Sequence, residues 1–242
     1  MLGASNLARG YSALADCLVA SLAPNRVEIL HAMGPGRGYC AEGGFLKIKY
    51  PPIGASGILD SISAGEETPR QVIALITDIG NDIMYGVSAS EITACLSALL
   101  KQFSALDAEV FLQPIPIDLS EDVSESQFRV LRSIFFPNSA IDYEKAKEAV
   151  FAVNEFLRTH AGGRVHLLPG VKEFMGIDKI HYSVFQSHKA WSGVAHEMLH
   201  ALNVPTMPKI SWGSACNSIF ANMGRLVFCD MFSVRKKSPQ TY

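Results

Sequence analysis

A three-layer α/β fold built on a parallel sheet is predicted by three observations. Short apolar runs of strand length alternate along the chain with longer stretches whose apolar residues recur at helical spacing. The run Gln71-Val72-Ile73-Ala74-Leu75-Ile76-Thr77 is almost continuously apolar, as a strand covered on both faces must be. The spacing of strands and helices implies βαβ units with right-handed crossovers, which put helices on both faces of the sheet.

Taken in order, the first helix is expected over 6–22, where Leu7, Tyr11, Leu14, Leu18 and Leu22 share a stripe and Pro24 closes the segment. A buried strand follows over 27–33, ending in Gly34-Pro35-Gly36-Arg37-Gly38, a loop suited to tight turns. The Gly- and Pro-rich stretch 39–53 lacks periodicity and reads as a surface loop, with a short helix over 58–63 after it. The strand 71–77 leads into the loop Asp78-Ile79-Gly80-Asn81-Asp82. A helix over 90–106, capped by Ser88 or Ser90, precedes the strand 109–114. Short and long helices are expected over 124–136 and 142–160, the latter ended by Gly162-Gly163. The strand 164–168 stops at Pro169-Gly170, and the last helix covers 184–202. No element is assigned after Pro205, so the chain divides into a domain over 1–204 and an extension over 205–242 whose role the sequence leaves open.

Composition narrows the function. A chain of 242 residues buries a continuous core without disulfides or metals. The net charge of -2 gives no footprint for nucleic acid, and the basic cluster Arg235-Lys236-Lys237 reads as a tail. Cys17, Cys40, Cys95, Cys216 and Cys229 are odd in number and widely spaced, which points to reduced thiols. No run reaches the ~18 apolar residues of a membrane span. No export signal precedes Ser5, so the cytoplasm is the default compartment.

In parallel sheets the site forms beyond the carboxyl ends of the strands. Ser5 lies where the turn Gly3-Ala4-Ser5 becomes a helix, beside the first free N–H groups, ground that suits a nucleophile and a helix cap alike. Gly36, or Gly38 in another register, presents a bare backbone N–H. Asn81 offers a side-chain amide after a buried strand. Asp178 stands three residues before His181 in one loop, placed to orient its ring. Base, orienter, nucleophile and oxyanion donors are the parts that acyl transfer needs. Arg37 reads as a surface arginine.

These motifs resemble, in order, the sequence blocks of the SGNH hydrolases, the GDSL-type esterases and lipases. Gly3-Ala4-Ser5-Asn6-Leu7 is similar to the first block, 34–38 to the second, Ile79-Gly80-Asn81-Asp82 to the third, and Asp178-Lys179-Ile180-His181 to the fifth. The resemblance implies a flavodoxin-like SGNH architecture and a serine hydrolase acting on small carboxylic esters without cofactor or metal. Ser5 would attack the acyl carbonyl, His181 would serve as general base and then acid, and Asp178 would fix the His181 tautomer. The backbone N–H groups of Ser5 and Gly36 and the Asn81 amide would form the oxyanion hole. Leu7 stands where Gly-x-Ser-x-Gly would need its second glycine, which disfavours the α/β-hydrolase elbow. The family also carries a buried strand before the nucleophile, whereas only Met1-Leu2 precede Gly3, so an upstream start of the reading frame is expected.

Two other readings stay open. His196-Glu197-Met198-Leu199-His200 matches H-E-x-x-H, a zinc-peptidase pattern. At about 100° per residue both imidazoles fall on the flank of the helix, away from its apolar stripe, and no His or Glu follows to complete a ligand set. The other is a non-catalytic binding protein, or a truncated inactive homologue, of the same fold. Oligomeric state leaves no mark on the sequence.

Overall fold

The computed structural model describes residues 1–45, 48–63, 71–205, 209–234 and 241–242, and it is an α/β fold around a parallel sheet. In chain order the elements are α1 (Ser5–Leu22), the antiparallel hairpin β1 (Gly43–Phe45) and β2 (Ile48–Tyr50), α2 (Ile58–Ser63), β3 (Ile73–Ile76) and α3 (Asn81–Met84). They continue with α4 (Ala89–Ala105), β4 (Glu109–Leu112), α5 (Leu119–Asp122), α6 (Glu125–Phe135), α7 (Tyr143–Thr159), β5 (Val165–Leu167), α8 (Ser187–Ala201) and α9 (Trp212–Arg225). The helix starts are written in the sequence: Ser88 with Glu91 and Ser124 with Gln127 form capping boxes, and Asp142 caps α7.

β3, β4 and β5 pair in parallel, with Ile73 opposite Glu109 and Val110 opposite Val165. On the other flank of β3 the first three residues of the chain complete the ladder. Leu2 N–H donates to Leu75 O at 2.7 Å and Thr77 N–H to Leu2 O at 3.0 Å, while Gly3 N–H donates to Ala32 O and Ala32 N–H to Met1 O. Thr241 bridges His31 beyond that. The spatial order is the Ala32 segment, the Leu2 segment, β3, β4 and β5, and the chain leaves in opposite directions after Leu2 and after Ile76. That is a topological switch point, where open α/β sheets place their ligands.

Side chains alternate across the sheet with the period of two that pleating dictates. Leu75 and Phe111 face Leu7 and Leu14 of α1 and Trp191 and Val194 of α8. Ala74, Ile76, Val110 and Leu112 face Leu96 and Leu99 of α4 and Val150 and Val153 of α7. Gly10 permits the closest of these approaches, since a Cβ there would lie 2.0 Å from Trp191 Nε1.

Three expectations change. The segment 39–53 is not a surface loop. It forms the β1–β2 hairpin, and Tyr39, Tyr50 and Ile53 are each at most 3% exposed. Gly43 and Gly44 carry no side chains to alternate, so the strand left no pattern. In the predicted strand 27–33, pairing among the described residues is confined to His31 and Ala32. Beyond Pro205, α9 lies against α1, with Ala215 and Ile210 in the same core as Leu14 and with the Ser218 hydroxyl accepting the Ser12 N–H at 3.1 Å. The cluster Arg235-Lys236-Lys237 lies outside the described residues. Among the described residues no helix is long and apolar enough to cross a membrane.

Candidate active site

The first turn of α1 carries no cap of its own, because Ala4 occupies the cap position. Asp78, at the end of β3, supplies it from across the sheet. Its Oδ2 accepts the N–H groups of Ala4 at 2.9 Å and Leu7 at 3.0 Å, and a carboxylate at this end also meets the positive pole of the helix. Asp78 reaches the position with a left-handed backbone, φ 58°, a conformation Asp tolerates better than most residues. Ser5 is therefore the first helical residue and not the cap. Among the described residues neither its hydroxyl nor its backbone N–H makes a hydrogen bond.

Asn6, 7% exposed, joins this corner to the 178–182 loop. Its Nδ2 donates to Asp78 Oδ1 at 3.1 Å and to Ile180 O at 2.9 Å, and its Oδ1 accepts the Tyr182 N–H at 2.9 Å. The two backbone groups that flank His181 are thus held by the residue that follows Ser5.

Within that loop Asp178 Oδ2 lies 2.8 Å from His181 Nδ1, while Oδ1 accepts the N–H groups of Ile180 at 3.1 Å and His181 at 2.9 Å. Burial pushes the Asp178 carboxyl up, but the bonds from the His181 ring and the two backbone N–H groups outweigh it and hold the pKa at about 2. The ionised carboxylate assigns the proton to Nδ1 and leaves the Nε2 lone pair available. Nε2 has no partner among the described residues, and the Phe135 and His181 rings meet in a T-shaped arrangement with centroids 5.8 Å apart.

Asn81 opens α3 and donates Nδ2 to Arg37 O at 3.1 Å. Asp82, fully buried, accepts the N–H groups of Tyr39 at 2.6 Å, Cys40 at 3.0 Å and Ala41 at 2.9 Å. Together they lash the loop after β3 to the 34–41 loop. There Gly34 O accepts the Arg37 N–H at 3.1 Å, and Pro35 followed by Gly36 at φ 71° is the signature of a type II turn. Arg37 is not a surface residue: it is 1% exposed, with its guanidinium bonded to Pro51 O and to the carbonyl of Tyr242.

Ser5, Asn81 and Asp178 line one cavity of about 130 Å³ at the switch point. His181, Gly36 and Gly38 are not part of its wall, although Ile180 and Tyr182 on either side of His181 are. No hydrogen bond joins Ser5 to His181 among the described residues. The residues that sequence reasoning missed are Asp78, the clamping role of Asn6, and Arg9. The half-buried Arg9 guanidinium is lowered by burial, against which the charges of Asp178 and Asp78 act. An acid at the end of a buried strand was the one available signal for Asp78.

The H-E-x-x-H helix supplies no metal centre of the expected kind. The His196 and His200 rings are 6.1 Å apart, His200 is exposed, and no group of three His, Cys, Asp or Glu side chains is placed to hold an ion among the described residues. No protein-family model, curated protein or solved structure matches this chain.

Proposed function

We propose that this protein is a serine hydrolase of the SGNH type that cleaves small carboxylic esters through an acyl-enzyme. The observation that carries the reading is the Asn6 clamp: the residue next to Ser5, whose own hydroxyl and N–H are unspent among the described residues, grips the backbone on both sides of an Asp178-oriented imidazole. The order Ala32 segment, Leu2 segment, β3, β4, β5, in which the second segment along the chain lies outside the first, supports the flavodoxin-like architecture of that class.

In this mechanism Ser5 Oγ bonds to the carbonyl carbon as its proton passes to His181 Nε2. Charge on the tetrahedral oxygen is met by the Ser5 N–H and by the second N–H of the Asn81 amide, both residues lining the cavity. The carbon–oxygen bond to the alcohol then breaks, and the alcohol leaves with the His181 proton. Water repeats the sequence: His181 takes its proton, the acid departs, and the proton returns to Ser5 Oγ. Ionised Asp178 stabilises the imidazolium in both halves. That no hydrogen bond joins Ser5 to His181 among the described residues accords with catalytic hydrogen bonds that form only with substrate.

Labelling with a fluorophosphonate tests this. The expected result is a stoichiometric adduct on Ser5 that is lost in Ser5→Ala and in His181→Ala. Folded protein that takes no adduct and turns over no ester is a binding module instead.

A further inference from the structure

The wall of the cavity beside Ser5 is apolar over most of its surface and belongs chiefly to the segment between β4 and α7. Ile115, Leu119, Val123, Phe128, Leu131 and Phe136 all line it. That segment is fastened rather than draped. Asn154 of α7 holds both backbone groups of Ile115, at 2.9 and 3.0 Å, and the Tyr143 hydroxyl lies 2.6 Å from Leu119 O and 2.9 Å from Val123 O. Phe128 packs edge-on against Tyr143 with ring centroids 5.6 Å apart. Polar side chains in the lining sit mainly on the segments that carry Ser5, Asn81 and Asp178.

We infer that this cavity is the acyl subsite and that it takes a linear or aromatic acyl chain of about six carbons. The inference rests on the hydrolase reading and goes beyond it by naming the substrate class. Three arguments carry it. A preformed apolar cavity rewards an apolar ligand without an ordering cost. A dry cavity of about 150 Å³ admits one benzene molecule, so about 130 Å³ corresponds to roughly six carbons. The acyl group is also the part that stays through the covalent intermediate, whereas the alcohol must leave and water must enter before deacylation, so a recessed apolar space suits the acyl side.

The test is kcat/KM on p-nitrophenyl esters of increasing acyl length, with ethyl hexanoate and hexyl acetate as a pair. At about 0.8 kcal/mol per buried methylene the value rises about fourfold per carbon, hence about 200-fold from acetate to hexanoate, with no further rise by decanoate. Ethyl hexanoate is preferred to hexyl acetate, and Leu131→Trp lowers the hexanoate-to-acetate ratio at least tenfold. Binding is read separately, as the shift in Tm of Ser5→Ala by hexanamide, with acetamide giving none. An acetate preference, a preference for hexyl acetate, or no hexanamide shift overturns the acyl assignment while ester turnover keeps the hydrolase reading. A hexanamide shift with no turnover of any ester retains the six-carbon cavity and overturns the hydrolase reading with its acyl assignment.

Discussion

Asn6 Oδ1 accepts the Tyr182 N–H at 2.9 Å while Asn6 Nδ2 donates to Ile180 O at the same distance, so one side chain grips the backbone on both sides of His181. The His181 ring is thereby registered to α1, the helix that begins with Ser5. Asn6→Ala leaves the buried Tyr182 N–H unpaired and costs about 1–3 kcal/mol, read as a lower urea midpoint. It also slows fluorophosphonate labelling of Ser5, because the imidazole loses its registration. Labelling at the parental rate in Asn6→Ala would refute that coupling.

Asp78 does for α1 what a local cap does elsewhere. Asp78→Ala strands the N–H groups of Ala4 and Leu7 and is expected to lower stability by about 0.5–2 kcal/mol, the range for loss of a helix cap. Amide exchange makes the test local: the Ala4 and Leu7 amides should lose more protection than those of α4, whose Ser88–Glu91 box is untouched.

Asn81→Ala is expected to reduce kcat about 10²–10³-fold, the usual loss on removing one oxyanion donor. Steady-state kinetics on a hexanoate ester read this directly. A purely structural role through the Arg37 carbonyl would lower Tm and leave kcat of the folded fraction near the parental value.

Gly36→Ala meets two obstacles. The residue has φ 71°, a region that costs a non-glycine residue roughly 1–2 kcal/mol, and the new Cβ would sit 2.3 Å from Gly44 O. A fall in Tm with loss of esterase activity is expected, because the 34–41 loop must shift relative to the hairpin. An unchanged Tm would show that the turn relaxes freely.

The Asp178 pair gives stability a defined pH dependence. Its folded pKa of about 2 lies below the reference value of 3.8, so the contribution is fully present above pH 3.8 and is lost as pH falls through 2. Parent and Asp178→Asn should therefore differ in Tm at pH 5 and converge towards pH 2. A gap that stays constant across that window removes the ion pair as its cause.

The parallel strands, the long helices and their caps were legible because each obeys a local rule: the apolar run at 73–76, the stripe on α7, the boxes at Ser88 and Ser124. The Asp178–His181 pair was equally local, three residues apart in one loop. What escaped was held by distant partners. Asp78 bonds residues more than seventy positions away, and the Asn6 clamp spans 176. The buried hairpin was hidden by its glycines. Helix α9 was hidden because the face that covers α1 is built from small residues such as Ala215 and Ser218.

The three residues that begin the sheet have a kinetic corollary. Leu2 is made before its ladder partners Ala32 and Ile76, Asn6 waits for Tyr182, and Ser12 waits for Ser218, 206 positions on. Contacts of such sequence separation are slow to close and form late. The corner that holds Ser5 and His181 must therefore assemble after the segments around Tyr182 and Ser218 have been made. In refolding from urea, competence for fluorophosphonate labelling should return with the slowest phase, after helix formation is complete.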